Sequence, residues 1–167
     1  EKDAFGTKIV SVFPRNRERA LSTVQGLYIL NDPATGEILA VMDGIYLTAV
    51  RTGAASAVAT KYLSRHDSTV LGIIGTGGQA IQQVQAIRAV RPIREILAYD
   101  TEQKTRETFS NLISEEIKLL INFADSSRDV VLGCDILVTA TTSDSPVFDG
   151  EYLRPVAHLA AIVAQEV

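Results

Sequence analysis

Apolar and polar residues follow two different patterns along the chain, one before and one after about residue 66. In the first part, residues 8–13, 25–30 and 37–42 each combine apolar residues with polar residues or glycine and are not solidly apolar, which predicts strands of an antiparallel sheet. Residues 31–36 are Asn, Asp, Pro, Ala, Thr and Gly, a composition typical of turns. The first part is therefore predicted to be mainly antiparallel and to contain a β-hairpin.

The second part alternates short apolar runs with segments of helical periodicity. A helix rich in small residues, predicted over residues 47–63, leads into it. The predicted strands span residues 70–75, 95–100, 118–123, 135–140 and 158–163, and the predicted helices span 79–90, 102–113, a short one from Ser126 or Ser127 to 132, and a turn with a short helix over 146–153. This alternation predicts an α/β fold, a Rossmann-type doubly wound parallel sheet, with part of a second, mainly antiparallel domain before it.

Composition and charge narrow the function classes. The chain has 167 residues, of which 46% are hydrophobic and 22% charged, enough for one well-packed core. A formal net charge of −4 with no basic stripe disfavours a nucleic acid or an anionic membrane surface as partner. No apolar run is long enough to span a bilayer and no charged-then-apolar leader opens the sequence, so we expect a cytoplasmic enzyme.

A glycine-rich turn follows the first predicted parallel strand. Residues 75–80 read Gly-Thr-Gly-Gly-Gln-Ala, a G-x-G-x-x-A pattern between a predicted strand and a predicted helix, as in dinucleotide-binding folds. Gly75 permits the sharp turn, Gly77 lets the backbone approach a pyrophosphate, and Ala80 lets the helix pack closely. Free N–H groups at the helix start would meet the phosphates. Such turns are common in α/β proteins, so this pattern alone leaves cofactor binding open.

An acid at the end of the next predicted strand strengthens the cofactor interpretation. Asp100 follows the glycines at about the ~20-residue offset of the dinucleotide fingerprint. Its carboxylate can accept hydrogen bonds from both ribose hydroxyls of an adenosine and would repel a 2′-phosphate, which favours NAD over NADP. The alternative is that Asp100 caps the helix that starts near Glu102. Lys104 and Arg106 keep NADP open, since either could swing toward a 2′-phosphate.

Two further residues are candidates for contact with a ligand. Arg51 lies in the first turns of the predicted helix 47–63, where the helix dipole disfavours a cation unless an anion is bound; a solvated side chain or a salt bridge to Asp43 is the alternative. Thr141 follows the strand 135–140, at the strand end where parallel sheets bind ligands. Its hydroxyl could equally bond its own turn backbone.

Cysteine and histidine usage favours neither a metal nor a thiol nucleophile. The single cysteine, Cys134, precedes a predicted buried strand and is interpreted as a buried structural thiol. His158 has no histidine or cysteine partner in sequence, and His66 beside Asp67 is expected to be solvated. No metal site is predicted.

Five segments together resemble the ornithine cyclodeaminase/mu-crystallin family, in that family's order and spacing. They are residues 8–16, 42–44, 47–56, 75–80 and 138–143. In that family a Rossmann domain binds NAD(P), and a second domain holds a small amino or imino acid and usually makes the dimer. The resemblance implies that residues 1–46 are part of the substrate-binding and dimerisation domain, 47–66 a linking helix, and 67–167 the NAD(P)-binding Rossmann domain.

The resemblance also implies roles for individual residues. It assigns Lys8 to the substrate carboxylate, and Arg51 to both that carboxylate and the cofactor, which favours a bound anion at Arg51. The expected cofactor-binding residues are Thr23, Arg51, Gly75, Gly77, Gly78, Gln79, Ala80, Asp100 and Thr141. Lys8 is the candidate catalytic residue, a proton donor if it is buried near Arg51, because burial and a cationic neighbour both favour loss of its proton.

The sequence also departs from the family. No residue here matches the family's longer N-terminal part with another substrate-binding arginine, and the C-terminal return to the substrate domain is missing. In ornithine cyclodeaminase an aspartate after the fifth strand acts on the substrate's proton, whereas Gln165 stands at about that place. Glutamine cannot act as a base, so the acid either lies further along a longer chain or is absent.

The predicted function is that of an NAD(P)-dependent oxidoreductase or cyclodeaminase. The enzyme is expected to be a homodimer and to transfer hydride at the α-carbon of a small amino or imino acid. The identity of that acid, and ring closure with ammonia loss versus reductive amination, stay open because both begin with the same hydride step. The alternative is a mu-crystallin-like protein that binds nucleotide and a small carboxylate with little turnover. An unrelated Rossmann reductase would need Tyr-x-x-x-Lys, and none of the five tyrosines has a lysine four residues later.

Overall fold

A computed structural model describes residues 4–19 and 21–162 of the chain. The chain divides into two compact units, Glu1–Arg51 and Thr52–Val167, and the division falls inside one long helix. Each unit is described by itself below. No helix in the described part of the chain is both long enough and apolar enough to cross a membrane.

The first unit is built on a three-stranded antiparallel sheet with the strand order β1-β2-β3. Its strands are β1 (Phe5–Val12), β2 (Val24–Asn31) and β3 (Ile38–Asp43), and a 3-10 helix, Pro14–Arg19, lies between β1 and β2. In the predicted hairpin the Asp32 carboxylate accepts the N–H groups of Ala34 and Thr35 at 2.8 and 2.9 Å. Gly36 then closes the turn with a φ of +76°.

Helix α1 (Gly44–Leu63) follows β3 directly. It begins three residues before the predicted start at 47, because the Asp43 carboxylate accepts the N–H groups of Ile45 and Tyr46 at 2.9 and 3.2 Å and so caps the helix. A Cβ on Gly44 would lie 2.6 Å from the carbonyl carbon of Gly26 in β2. The helix start therefore packs on the sheet at a distance that only two glycines allow.

The second unit contains a five-stranded, entirely parallel sheet in the order β6-β5-β4-β7-β8. Its strands are β4 (Val70–Ile74), β5 (Glu95–Tyr99), β6 (Leu120–Phe123), β7 (Ile136–Thr139) and β8 (His158–Ala161). Its helices are α2 (Ala80–Arg88), α3 (Gln103–Leu112) and α4 (Ser127–Gly133), with a π-helix at Ile113–Ile117 and a 3-10 helix at Gly150–Tyr152. The chain order runs outward from β4 in both directions, as in doubly wound folds. The predicted fold class is confirmed.

One predicted boundary in this unit shifts for a local reason. Helix α3 continues as the π-helix, which ends at Lys118 with a left-handed φ of +56°. The strand predicted from residue 118 therefore starts only at Leu120.

Apolar layers cover both faces of the parallel sheet. Leu71 and Ile73 of β4 pack with α2 on one face, while Ile74 packs on the other with Val130 of α4. Side chains alternate between the two faces of a strand, so a strand buried on both faces needs a continuous apolar run. This is why residues 70–75 carry almost no polar side chain.

Asp135 ties the starts of β4 and β7 together. Its carboxylate accepts the N–H groups of Thr69 and Val70 at 2.9 and 3.1 Å, and it pairs with Arg65 and Arg154 at 3.0 and 3.3 Å. Burial raises the pKa of this carboxyl, but the two N–H donors and the two arginines outweigh burial and lower the pKa below its usual value. The Asp135 carboxylate is therefore an anion that joins the amino-terminal ends of two central strands, β4 and β7.

Candidate cofactor and substrate sites

The predicted phosphate turn lies at the carboxyl end of β4. Gly75 has a φ of +88°, and a Cβ there would lie 2.7 Å from the carbonyl oxygen of Ala140, so both conformation and space require glycine. A Cβ at Gly77 or Gly78 would meet no atom within 4 Å. Among the described residues no acceptor faces the N–H groups of Gly77, Gly78 and Gln79. The turn thus presents open backbone donors at the start of α2, where Ala80 is fully buried.

Asp100 is held in place by the same turn. Its Oδ2 accepts the N–H and the hydroxyl of Thr76 at 2.8 and 3.1 Å, and its Oδ1 accepts the N–H of Glu102 at 2.9 Å. Helix α3 begins at Gln103 with Glu102 as its N-cap residue, so Asp100 bonds the residue before the helix and is not the helix cap predicted as the alternative. A carboxylate has about four acceptor positions, so about one is left for a ribose hydroxyl. Sequence reasoning gave no role to Thr76, although its place inside the glycine pattern could have drawn attention to it.

Thr141, which follows β7, and Arg106, in α3, each contact another residue of the second unit. The Thr141 hydroxyl accepts the N–H of Ser143 at 3.1 Å, the local bond expected as the alternative to ligand contact, and its methyl group packs against Gly75. The Arg106 guanidinium lies 4.7 Å from the centre of the Phe123 ring, a cation–π contact. Arg106 is thereby occupied on the β6 side of the sheet, while Lys104 is exposed.

In the first unit the structure gives Lys8 a specific partner. The half-buried Lys8 ammonium donates to Thr48 Oγ1 at 3.3 Å, and the Thr48 hydroxyl donates to the carbonyl of Gly44 at 2.5 Å. Residues three apart in a helix are neighbours on one face, so Lys8 binds α1 about one turn before Arg51. Sequence reasoning missed Thr48, because 40 residues separate it from Lys8.

Arg51 and Thr23 have fewer contacts. Arg51 is exposed in α1 and forms no ion pair with a described residue, and the salt bridge to Asp43 considered from the sequence does not form because Asp43 caps the helix. Thr23 is half-buried before β2, and its carbonyl accepts the N–H of Phe13 at 2.8 Å. Gln165, the residue that stands near the family's aspartate, lies outside the described residues.

The surroundings of Cys134 and His158 shift the pKa of both side chains. Cys134 is fully buried, which confirms the expected burial, and burial raises the pKa of its thiol to about 11. Burial, followed by the charge of Arg91, lowers the pKa of His158 in β8. Within residues 4–19 and 21–162 no three His, Cys, Asp or Glu side chains are grouped so that they could hold a metal ion.

The parallel sheet order, the glycine turn and the acid at the end of β5 define the second unit as a doubly wound domain of the Rossmann class. The whole chain belongs to the ornithine cyclodeaminase/mu-crystallin family, whose sequence profile matches residues 1–167. The predicted resemblance is thus confirmed.

Known relatives share both sequence and fold with the chain. A Delta(1)-pyrroline-2-carboxylate reductase of Bacillus thuringiensis is 39% identical over 160 residues, 96% of this chain and 49% of the relative. The Thermococcus litoralis Delta(1)-pyrroline-2-carboxylate reductase, solved with NADH and L-proline, is 42% identical with a TM-score of 0.92, over 95% of this chain and 49% of that one. An archaeal alanine dehydrogenase dimer with bound NAD is 40% identical with a TM-score of 0.83, over 92% and 47%. The chain spans about half the length of these relatives.

Proposed function

We propose that the protein is an NAD-dependent enzyme that transfers hydride at the α-carbon of a small amino or imino acid. The observation that carries the proposal is the turn at residues 75–80, where open N–H donors lie beside an acid held at the end of β5. Support also comes from two similar solved proteins, a Delta(1)-pyrroline-2-carboxylate reductase with bound NADH and an alanine dehydrogenase with bound NAD.

The residues of the second unit fit a dinucleotide. The unpaired N–H groups of Gly77, Gly78 and Gln79 would bind the pyrophosphate, and the start of α2 adds its dipole. The Asp100 carboxylate would take a ribose hydroxyl and repel a 2′-phosphate, so NAD is favoured over NADP. Thr141 at the end of β7 would face the nicotinamide half. When bound, the nicotinamide supplies or accepts the hydride.

The first unit would hold the substrate. Lys8 and Arg51, about one helical turn apart along α1, are two cations that can bind one carboxylate. Fixing the carboxylate orients the α-carbon, and such orientation is worth on the order of 7–11 kcal/mol of a barrier in favourable cases. The Lys8 ammonium, half-buried and donating to Thr48, is the candidate proton donor to the imine nitrogen.

Three finer points belong to the same proposal. Residues 1–46 would serve the substrate and the dimer, 47–66 the link, and 67–167 the cofactor. A homodimer is supported by the alanine dehydrogenase relative, which is described as a dimer. A cytoplasmic location rests on composition alone.

The direct test follows NADH oxidation with Δ1-pyrroline-2-carboxylate, NAD reduction with L-proline and L-alanine, and ammonia release from L-ornithine in the presence of NAD, because ring closure with ammonia loss returns the hydride and leaves no net NADH. We expect turnover with at least one of these substrates, and we expect Lys8→Met to lower kcat/KM by about a hundredfold because it removes a charged ligand of the carboxylate. Thr7→Val, a change to the adjacent residue of β1, is the control and should behave like the wild type. Undiminished turnover in Lys8→Met would refute the role of Lys8.

Binding without turnover would favour the rival function. In that outcome the protein would bind NADH tightly and a small carboxylate in its presence, yet convert none of the four substrates. The mu-crystallin-like binding protein predicted as the alternative would then be the better description.

A further inference from the structure

The Thr48 hydroxyl joins the predicted substrate-binding lysine to the start of α1. Lys8 Nζ lies 3.3 Å from Thr48 Oγ1, and Thr48 is only 7% exposed. We infer that Thr48 is a positioning residue, which sets the place of the Lys8 ammonium relative to Arg51 and thereby the affinity for the substrate carboxylate. The inference rests on the proposed function.

The hydroxyl of Thr48 can serve Lys8 only as an acceptor. Its single proton is donated to the carbonyl of Gly44 at 2.5 Å, so in the contact with the ammonium the Thr48 oxygen is the acceptor. An ammonium has three N–H donors, so one bond to Thr48 leaves two for a carboxylate. Thr48 therefore orients the charge of Lys8 without neutralising it, whereas an acidic partner at this place would compete with the substrate.

Backbone packing brings the two side chains together. Lys8 lies in β1, two residues before Val10, which pairs with Gly26 of β2. Gly26 and Gly44 are in such close contact that a Cβ on either would come within about 3 Å of the other's backbone. This contact seats the first turn of α1 on the sheet, so that Thr48, one turn further along, reaches the lysine.

Arg51 follows Thr48 by three residues on the same helix. Residues at this spacing are neighbours on a helix face, so a fixed contact at Thr48 also fixes how far Lys8 stands from Arg51 along α1. One carboxylate can contact both cations only if the distance between the Lys8 ammonium and the Arg51 guanidinium suits it. The hydroxyl thus acts through Lys8, and it need not touch the substrate itself.

The test measures binding of pyrrole-2-carboxylate, a planar and unreactive analogue of the imine, to the NADH-loaded protein by calorimetry. Thr48→Val removes the acceptor at nearly constant volume and should raise the Kd roughly tenfold, the size of one hydrogen bond to a charged group. Thr48→Ser keeps the hydroxyl and should stay within about twofold of the wild type. The matched control Thr7→Val makes the same chemical change on the opposite face of β1, next to Lys8, and should leave the Kd unchanged.

A double-mutant cycle separates positioning from a general structural role. In a Lys8→Met background, Thr48→Val should change the Kd no further, because its effect passes through the lysine. The NADH affinity should be the same in all variants. If Thr48→Val does not fold, Thr48→Cys, whose sulfur is a weak acceptor, takes its place.

Each outcome decides one of the two ideas. An unchanged Kd in the folded Thr48 variant, or an equal added loss in the Lys8→Met background, would overturn the positioning role. A wild type that binds pyrrole-2-carboxylate but turns over none of the substrates would overturn the proposed enzyme while the Thr48 variants still test the inference. A wild type that binds no carboxylate would overturn both.

Discussion

The parallel sheet and the antiparallel sheet differ in how fully their strands are covered. In the second unit, Leu71 and Ile73 of β4 are 0% exposed, and apolar layers lie on both faces of the sheet. In the first unit, Ile9 of β1 and Val41 of β3 are each 60% exposed within the chain. The predicted phosphate turn therefore lies at the end of a strand that is covered on both faces, whereas Lys8, the candidate substrate ligand, lies on a sheet held largely by its own hydrogen bonds and by α1.

The two units also differ in how many contacts hold the candidate site residues in place. The turn at Gly75 is fixed by contacts on three sides, from Ala140, from Tyr99 and from the pair Thr76 and Asp100. The Lys8 ammonium is held by its hydrogen bond to Thr48. We therefore expect substitutions around the turn to affect folding and cofactor together, and substitutions around Lys8 to affect substrate affinity with little change in stability.

The largest contrast is expected between two glycines with positive φ, one in each unit. Gly75→Ala meets both a left-handed backbone and the carbonyl of Ala140 at 2.7 Å, and should cost at least about 3 kcal/mol of unfolding free energy and abolish NADH binding. Gly36→Ala has the same backbone strain but open space, and should cost about 1 kcal/mol with NADH affinity unchanged. Urea unfolding and NADH titration measure both. Equal costs would show that the turn is not packed as described.

A second prediction concerns the anion that holds the start of β4. Asp135→Asn should destabilise the protein by about 2 kcal/mol at pH 7, because it removes the charged acceptor of the Thr69 and Val70 N–H groups and the anion beside two partly exposed arginines. The lowered pKa of Asp135 means that its contribution is complete above the unfolded value of about 3.9 and is lost as the pH falls through the folded pKa. The stabilities of the wild type and the variant should therefore begin to converge as the pH falls below about 4 and should meet only below the folded pKa. A difference that stays constant down to pH 2 would contradict an ionic role. Asp144→Asn, at an exposed acid outside this cluster, is the control.

The smallest of the three effects is on cofactor choice. Asp100→Asn should weaken NADH binding by about tenfold, because an amide accepts fewer bonds from Thr76 and the ribose, and should weaken NADPH binding less, since a repelled 2′-phosphate gains from the loss of charge. Asp125→Asn, an exposed acid after the neighbouring strand, should change neither affinity. If Asp100→Asn leaves the ratio of the NADH and NADPH affinities unchanged, Asp100 does not contact the ribose.

Most of the fold follows from local sequence patterns. The buried parallel strands were predictable because their apolar runs are continuous, and the glycine turn because strand, glycines and helix adjoin in sequence. The start of α1 could not be predicted in this way, because Gly44 is a poor helix former and the cap at Asp43 decides the boundary. The π-helix after α3 was also missed, because its extra residue per turn has no pattern of its own.

The candidate sites show the same division. The turn and Asp100 lie close in sequence and could be found from spacing. The contact of Lys8 with Thr48 joins residues 40 apart, and it depends on the close packing of Gly26 on Gly44, which no periodicity reveals. Such a contact becomes visible only when the hairpin and the helix are seen together.

The central claim is that hydride reaches the α-carbon of a small amino or imino acid, and isotope transfer tests it most directly. The protein would be given NADH carrying deuterium at both positions of nicotinamide C4, together with Δ1-pyrroline-2-carboxylate, and the product analysed by mass spectrometry and NMR. We predict proline with one deuterium, located on the α-carbon, and none from the Gly75→Ala variant. NADH that stays bound while no deuterium appears in any product would contradict the account and leave a nucleotide- and carboxylate-binding protein.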